Sequence, residues 1–122
     1  MNVHVFGDVT VVTPSGRIDH NSAEKLHEML LPVIRTQIGE RRVVVLDMAD
    51  IPYMSSAGLR VLMLASREAK KEGGRVVIAA LQSDMQEIFE ISRFNMVFDT
   101  FDSVRTAIAS ISPNSLAAFE SG

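Results

Sequence analysis

The sequence predicts an α/β fold: a mixed, mostly parallel β-sheet of four to five strands with about four helices packed mainly on one face. Short β-branched runs alternate with longer segments whose apolar residues recur at helical spacing, which is the order of strands joined by crossover helices. The run Val43-Val44-Val45-Leu46-Asp47 lacks polar alternation, as a strand buried on both sheet faces requires. With 122 residues, the chain is expected to form one domain with one core, burying roughly two thirds of the surface its unfolded form exposes.

Val3 to Phe6 and Val9 to Thr13 read as neighbouring strands on either side of the turn signal Gly7-Asp8. Pro14-Ser15-Gly16 makes a second turn before Arg17-Ile18-Asp19. Asn21 or Ser22 then caps a helix with Leu26, Met29, Leu30, Val33 and Ile34 on its apolar side. Pro32 is expected to kink or divide that helix, because proline lacks the backbone donor and crowds the carbonyl four residues earlier. Strand Arg42 to Asp47 leads through a short loop into a helix from Ala57 to Glu72. Its inward stripe is read as Leu59, Leu62, Met63, Ser66 and Ala69, and Gly73-Gly74 marks its end. Strand Arg75 to Ala80 comes next, then a short helix introduced by Ser83, with Gln86 placed to complete a capping box and Met85, Ile88 and Phe89 turned inward. A strand-like piece, Val97 to Asp99, precedes a helix from Ser103 to Ile111 carrying Val104, Ala107 and Ile108. The domain is therefore read as residues 1–112. Residues 113–122 are read as a C-terminal tail with the fraying usual at chain ends, although Leu116 and Phe119 are able to dock on the body or on a partner.

Composition removes several functional classes. The chain has no cysteine, which excludes disulfide and thiolate chemistry and fits a reducing compartment. It begins without the basic start and long apolar stretch of a signal peptide. No uncharged apolar run approaches the roughly 20 residues needed to span a bilayer. A net charge of −3 offers no long-range attraction for nucleic acid. The expectation is a free-standing cytoplasmic domain without membrane or direct nucleic-acid partners. His4, His20 and His27 have no cysteine companions or metal-ligand spacing, the glycines form no phosphate-binding loop, and Met54 stands where a hydrolase nucleophile elbow needs glycine. No catalytic residue, metal or cofactor is assigned.

The chemistry concentrates at Met54-Ser55-Ser56-Ala57-Gly58-Leu59, where two hydroxyls and a glycine join a buried strand to a helix that starts at once. A strand-to-helix turn of this kind lies outside the carboxyl end of a strand, where unpaired N–H groups favour a ligand or a negative charge. The competing structural role for either serine is to cap the helix. Farther along, a helical wheel groups Arg60, Leu64, Arg67 and Lys71 beside the core stripe, with Val61 at the far edge, as a docking patch next to the hydroxyls.

The segment Val45-Leu46-Asp47-Met48-Ala49-Asp50-Ile51-Pro52-Tyr53-Met54-Ser55-Ser56-Ala57-Gly58-Leu59-Arg60-Val61-Leu62 resembles the STAS family, the sulfate-transporter and anti-sigma-factor-antagonist domains. Gly16-Arg17-Ile18-Asp19 resembles that family's early Gly-x-Leu-Asp element, and Gly74-Arg75-Val76-Val77-Ile78-Ala79 its next strand, so the likeness covers residues 5 to 111. Aligned on Gly58 and Leu59, the family's phosphoacceptor serine falls on Ser56, with Ser55 as the alternative. Two positions depart from the pattern: Ser55 stands where the family usually has Asp, and Ala57 replaces a second Ser/Thr. The resemblance implies an anti-sigma factor antagonist, not an enzyme, in a partner-switching pathway. The unmodified chain would bind an anti-sigma factor that is also a serine kinase of the histidine-kinase-like ATPase type, releasing a sigma factor or another target. Phosphorylation at Ser56 would end that binding and a serine phosphatase would restore it. The implied partner surface comprises Asp19, Met54, Ser55, Ser56, Ala57, Gly58, Arg60, Val61, Leu64 and Arg67, with Asp19 either assisting phosphate transfer or capping the first helix. The alternative is a ligand-sensing STAS module that binds a small anion or nucleotide at the helix N-terminus after Met54.

Overall fold

Parallel strands connected by helices produce a five-stranded mixed sheet in the order β1-β2-β3-β4-β5 in the computed structural model, which describes residues 1–121. β1 (Asn2–Phe6) and β2 (Val9–Thr13) form an antiparallel hairpin. β3 (Val43–Asp47), β4 (Val76–Ala79) and β5 (Thr100–Phe101) then add in parallel, each after a helix. The helices are α1 (His20–Gly39), α2 (Ser56–Lys71), α3 (Ser83–Ile91), α4 (Val104–Ile111) and α5 (Pro113–Ser121).

The β3 valines work on both faces, as their lack of alternation predicts. Val44 and Leu46 enter a cluster with Leu30 and Ile34 of α1, Leu62 and Ala65 of α2, and Met85 and Phe89 of α3. Val45 points the other way, with Val9, Val11 and Val77, onto Ala107 and Ile108 of α4. The three helices α1, α2 and α3 give the first face most of the cover, and α4 and α5 close the second.

Several local expectations change. Asn21 and Ser22 do not cap α1; Asp19 does, and its Oδ1 accepts from the N–H groups of Asn21 and Ser22 at 3.0 and 2.9 Å while the Ser22 hydroxyl accepts from the Asp19 N–H. Pro32 does not divide α1, which runs unbroken from His20 to Gly39. Pro32 and Glu28 lie on the exposed side, so the carbonyl that loses its donor meets water while Leu26, Leu30, Ile34 and Ile38 hold the inner stripe. Ser83 is the first residue of α3 rather than its cap, and Gln82 occupies the cap position without a side-chain cap bond. Gln86 donates instead to the Leu81 carbonyl at 3.2 Å, so no capping box forms. The last strand lies at Thr100–Phe101 rather than Val97 to Asp99. Phe98 is drawn into the core beside Phe89 and Phe94, and Phe94–Met96 is a short 3₁₀ turn.

The segment read as a frayed tail is α5. Its Phe119 meets Phe6 edge-on, with ring centroids 5.2 Å apart, and the buried Ser115 hydroxyl donates to the Asp8 carboxylate at 3.1 Å. Fraying is the default for chain ends only when nothing ties them down; here an aromatic contact and a buried hydrogen bond do.

Candidate functional site

The turn after β3 is stitched to the loop before α1. Residues Ile18 and Met54 form a parallel bridge, the Ile18 N–H donates to the Tyr53 carbonyl at 3.0 Å, and the Ser55 N–H donates to the Ile18 carbonyl at 2.8 Å. The Gly16 N–H reaches the Asp50 carbonyl at 3.0 Å, and the Arg17 guanidinium lies 4.4 Å from the centre of the Tyr53 ring. From the other side the Gln82 amide donates to the Ala49 carbonyl at 2.7 Å. Three loops at the carboxyl ends of β2, β3 and β4 thereby hold one another, and the first turns of α1 and α2 emerge side by side.

Gly58 is needed for that junction. A Cβ there would stand 2.8 Å from the Ile18 Cγ2 and 3.3 Å from Met54, inside the contact distance of real side chains. The close approach sets where α2 begins. The two serines consequently have different environments. Ser55 is the N-cap and half-buried, its N–H held by Ile18 and its hydroxyl accepting, at 3.4 Å, from the Gly58 N–H. Ser56 is the first helical residue, exposed, and its hydroxyl has no hydrogen-bond partner among the described residues. Ser56 can therefore enter another protein's active site without loss of a structural bond. A negative charge on it would face the positive end of α2, whose first turn contains no acidic residue.

The remaining residues separate by burial. Met54, Gly58 and Val61 are buried, Ala57 is half-buried against the core, and they shape the surface from below. This corrects the placement of Val61 at the edge of an exposed patch: the inner stripe of α2 is Gly58, Val61, Leu62, Ala65, Ser66 and Ala69, while Leu59 and Met63 lie at its borders. Arg60, Arg67 and Lys71 are exposed and Leu64 is half-buried. With Ser56 they follow steps of four, four, three and four residues, a single stripe running down α2 from the hydroxyl. Arg60 and Arg67 have no ion-pair partner among the described residues. Sequence reasoning missed Ile18, Tyr53 and Gln82 as the clamps on this turn. Their contacts link segments more than thirty residues apart or different loops, for which local pattern carries no signal.

Asp19 lies next to the Ile18–Ser55 contact, but its carboxylate is occupied as the cap of α1. The Ser22 N–H first, then the Ser22 hydroxyl, hold its pKa below the ordinary 3.8. A carboxyl whose folded-state pKa is depressed adds stability that is complete above its unfolded value and is lost as pH falls through the folded one. Asp19→Ala is expected to lower the thermal midpoint at neutral pH, with the difference from wild type shrinking as pH falls below 3.8. Asp19→Asn, which keeps a capping oxygen, is expected to melt close to wild type at neutral pH. Circular-dichroism melts across that pH range check both.

Among the described residues no group of acidic or histidine side chains is arranged to hold a metal, and no helix is long and apolar enough to cross a membrane. Against known proteins, residues 1–107 match a family model described as the STAS domain. A candidate anti-sigma factor antagonist of Bordetella bronchiseptica, BtrV, is 37% identical over 94 residues, covering 77% of this chain and 78% of that protein. The anti-sigma-B factor antagonist of Bacillus subtilis is 31% identical over 88 residues, covering 72% and 77%. A crystal structure of a candidate anti-sigma factor antagonist from Thermotoga maritima superposes with a TM-score of 0.80 over 89% of this chain and 92% of that one, at 13% identity, a likeness of fold.

Proposed function

The chain belongs to the STAS domain family, and on that footing we propose that it is a non-enzymatic anti-sigma factor antagonist whose partner binding is switched by phosphorylation of Ser56. The two relatives that carry the name of such antagonists support the general role. The exposed Ser56 hydroxyl at the first position of α2, free of any bond the fold needs, is the observation that supports the switch. Ser55, already engaged as the cap, is the weaker acceptor.

In this reading the unmodified chain lays the α2 stripe, with Ser56 at its head and Arg60, Leu64 and Arg67 below, on an anti-sigma factor that is also a serine kinase. Met54, Gly58 and Val61 hold the backbone in place beneath it, and Asp19 borders the contact. The kinase transfers the γ-phosphoryl group of its own ATP to the Ser56 oxygen: the new P–O bond forms as the one to the departing ADP breaks, and the hydroxyl proton passes to a base of the kinase. The modified side chain carries roughly −1.5 to −2 charge. Within the free chain the N-terminus of α2 accommodates that charge. Pressed against a partner it would be desolvated, and the complex separates. A serine phosphatase restores the binding form, and such a cycle operates in the cytoplasm.

The geometry gives less support to a small-molecule sensor at the same turn. The strand order runs from β1 to β5 without reversal, so the sheet has no switch point to open a crevice for a nucleotide. The test is to incubate the chain with ATP and serine kinases of the histidine-kinase-like type encoded in its own genome, then map the phosphate by fragment mass spectrometry. One phosphate on Ser56, absent in Ser56→Ala and retained in Ser55→Ala, is the expected result. A phosphate on Ser55, or none from a kinase active on its own antagonist, contradicts it.

A further inference from the structure

The two edges of the sheet are built differently. At one, β5 is two residues long and flanked by Asp99 and Asp102, a short acidic edge of the kind that discourages pairing with another strand. At the other, β1 runs five residues in unbroken register with β2, from Asn2↔Thr13 to Phe6↔Val9, with no bulge, no proline and no Lys, Arg, Asp or Glu. α5 touches the face of β1 that carries Phe6, and the other usual protections of an edge strand are absent there.

Gly7, at φ 61°, and Asp8 close the hairpin in two residues. Phe6 and Val9 are then the hydrogen-bonded pair beside the turn, and the alternation of an antiparallel ladder turns the N–H and C=O of Val3 and Val5 outward. Their side chains are open as well, 38% and 48% exposed. Val3 stands opposite Val12, a member of the cluster under α1 and α2, so both valines lie on that face, beyond the reach of its helices. Met1 and Met29, also exposed, share a hollow of about 240 Å³ with Ile18 and Leu26 and extend the apolar strip toward α1.

We propose that this edge joins two copies of the chain, β1 pairing antiparallel with β1 of the second copy about a two-fold axis at His4. The edge is self-complementary. Val3-His4-Val5 reads the same in both directions, so the axis sets Val3 against Val5 of the second copy, each pair exchanging two N–H to C=O bonds. Four valines then cover one another on one face. Charge permits the approach although the chain carries −3 overall. Residues 1–7 contain no acidic or basic side chain besides His4, the cationic groups at this edge are the Met1 ammonium and the Arg42 guanidinium at the Gly7 carbonyl, and the first acid, Asp8, is occupied by the Ser112 and Ser115 hydroxyls. α2 packs over β4, away from β1, so the contact leaves both copies of Ser56 open.

Sedimentation equilibrium of the whole chain over a wide concentration range, with amide hydrogen exchange on the same sample, tests the pairing. The expected mass at high concentration is twice the 13.4 kDa of the chain, with the Val3 and Val5 amides protected. Val5→Lys is expected to sediment as the monomer with an unchanged circular-dichroism spectrum and unprotected edge amides. Met96→Lys, at a more exposed apolar position in the turn before β5, is expected to keep the dimer. A monomer at every concentration, a dimer that survives Val5→Lys, or a dimer whose Val3 and Val5 amides exchange freely overturns the proposal. A partner strand from a different protein would leave the chain monomeric alone and counts against it.

Discussion

Ser56→Asp is expected to weaken binding to the anti-sigma factor kinase about 100-fold, roughly 3 kcal/mol, while leaving the fold intact. The exposed first position of α2 tolerates an anion in the free chain, because the unpaired N–H groups of the first turn and the helix dipole favour negative charge there. The same charge becomes costly only when a partner strips its water. The thermal midpoint should therefore hold or rise slightly while affinity falls, a separation that a folding defect cannot produce. Ser55→Ala should behave in the opposite sense. It removes the 3.4 Å cap bond to the Gly58 N–H, lowering stability by about 1 kcal/mol or less, with affinity near wild type. Isothermal titration and thermal melts on the two variants distinguish these outcomes; equal affinity of Ser56→Asp and wild type would refute the switch.

Gly58→Val is expected to carry the largest stability loss of any substitution at the turn, about 3 kcal/mol. Gly58 has helical φ, so its value is space rather than backbone freedom: even a Cβ would meet the Ile18 Cγ2 at 2.8 Å. Ile18 is branched at Cβ and tied to the turn through its N–H and C=O, so it has little room to yield. Gly58→Ala calibrates the argument. Alanine gains about 1 kcal/mol of helix propensity over glycine but incurs overpacking of about 1–3 kcal/mol, so a loss nearer 1 kcal/mol is expected. Chemical denaturation of both variants measures the difference. Since α2 must shift to relieve the clash, Gly58→Val should also weaken partner binding beyond its effect on stability.

The parts of the fold that local chemistry specifies were legible in the sequence. The β3 valines announced a strand buried on two faces, and Gly7-Asp8 announced the first hairpin. The serine turn stood out because two hydroxyls separate a strand from a helix. Less legible was the rotation of α2. Leu59 and Met63 carry the hydrophobic signal, yet the inner stripe uses Gly58 and Ala65, small residues that let α2 lie close to its neighbours and contribute little to any apolar pattern. Val61 was consequently assigned to the surface and lies in the core. The α1 cap stayed open between Asp19, Asn21 and Ser22 because all three are good caps, and only the fold decides that the Asp19 carboxylate meets the free N–H groups. Leu116 and Phe119 do dock on the body, as one of the two readings of the tail allows, but the helix they sit on was not legible because its anchors, Phe6 and Asp8, lie more than a hundred residues earlier in the chain.

The pairing of an exposed Ser56 with an uninterrupted α2 stripe makes one comparison decisive. The chain is phosphorylated to completion by its kinase, purified, and titrated calorimetrically into that kinase beside the unmodified chain and a sample returned to the unmodified form by phosphatase. Tight binding before phosphorylation, none detectable after it, and full recovery on dephosphorylation is the predicted result. Equal binding by the phosphorylated and unmodified chains would contradict it.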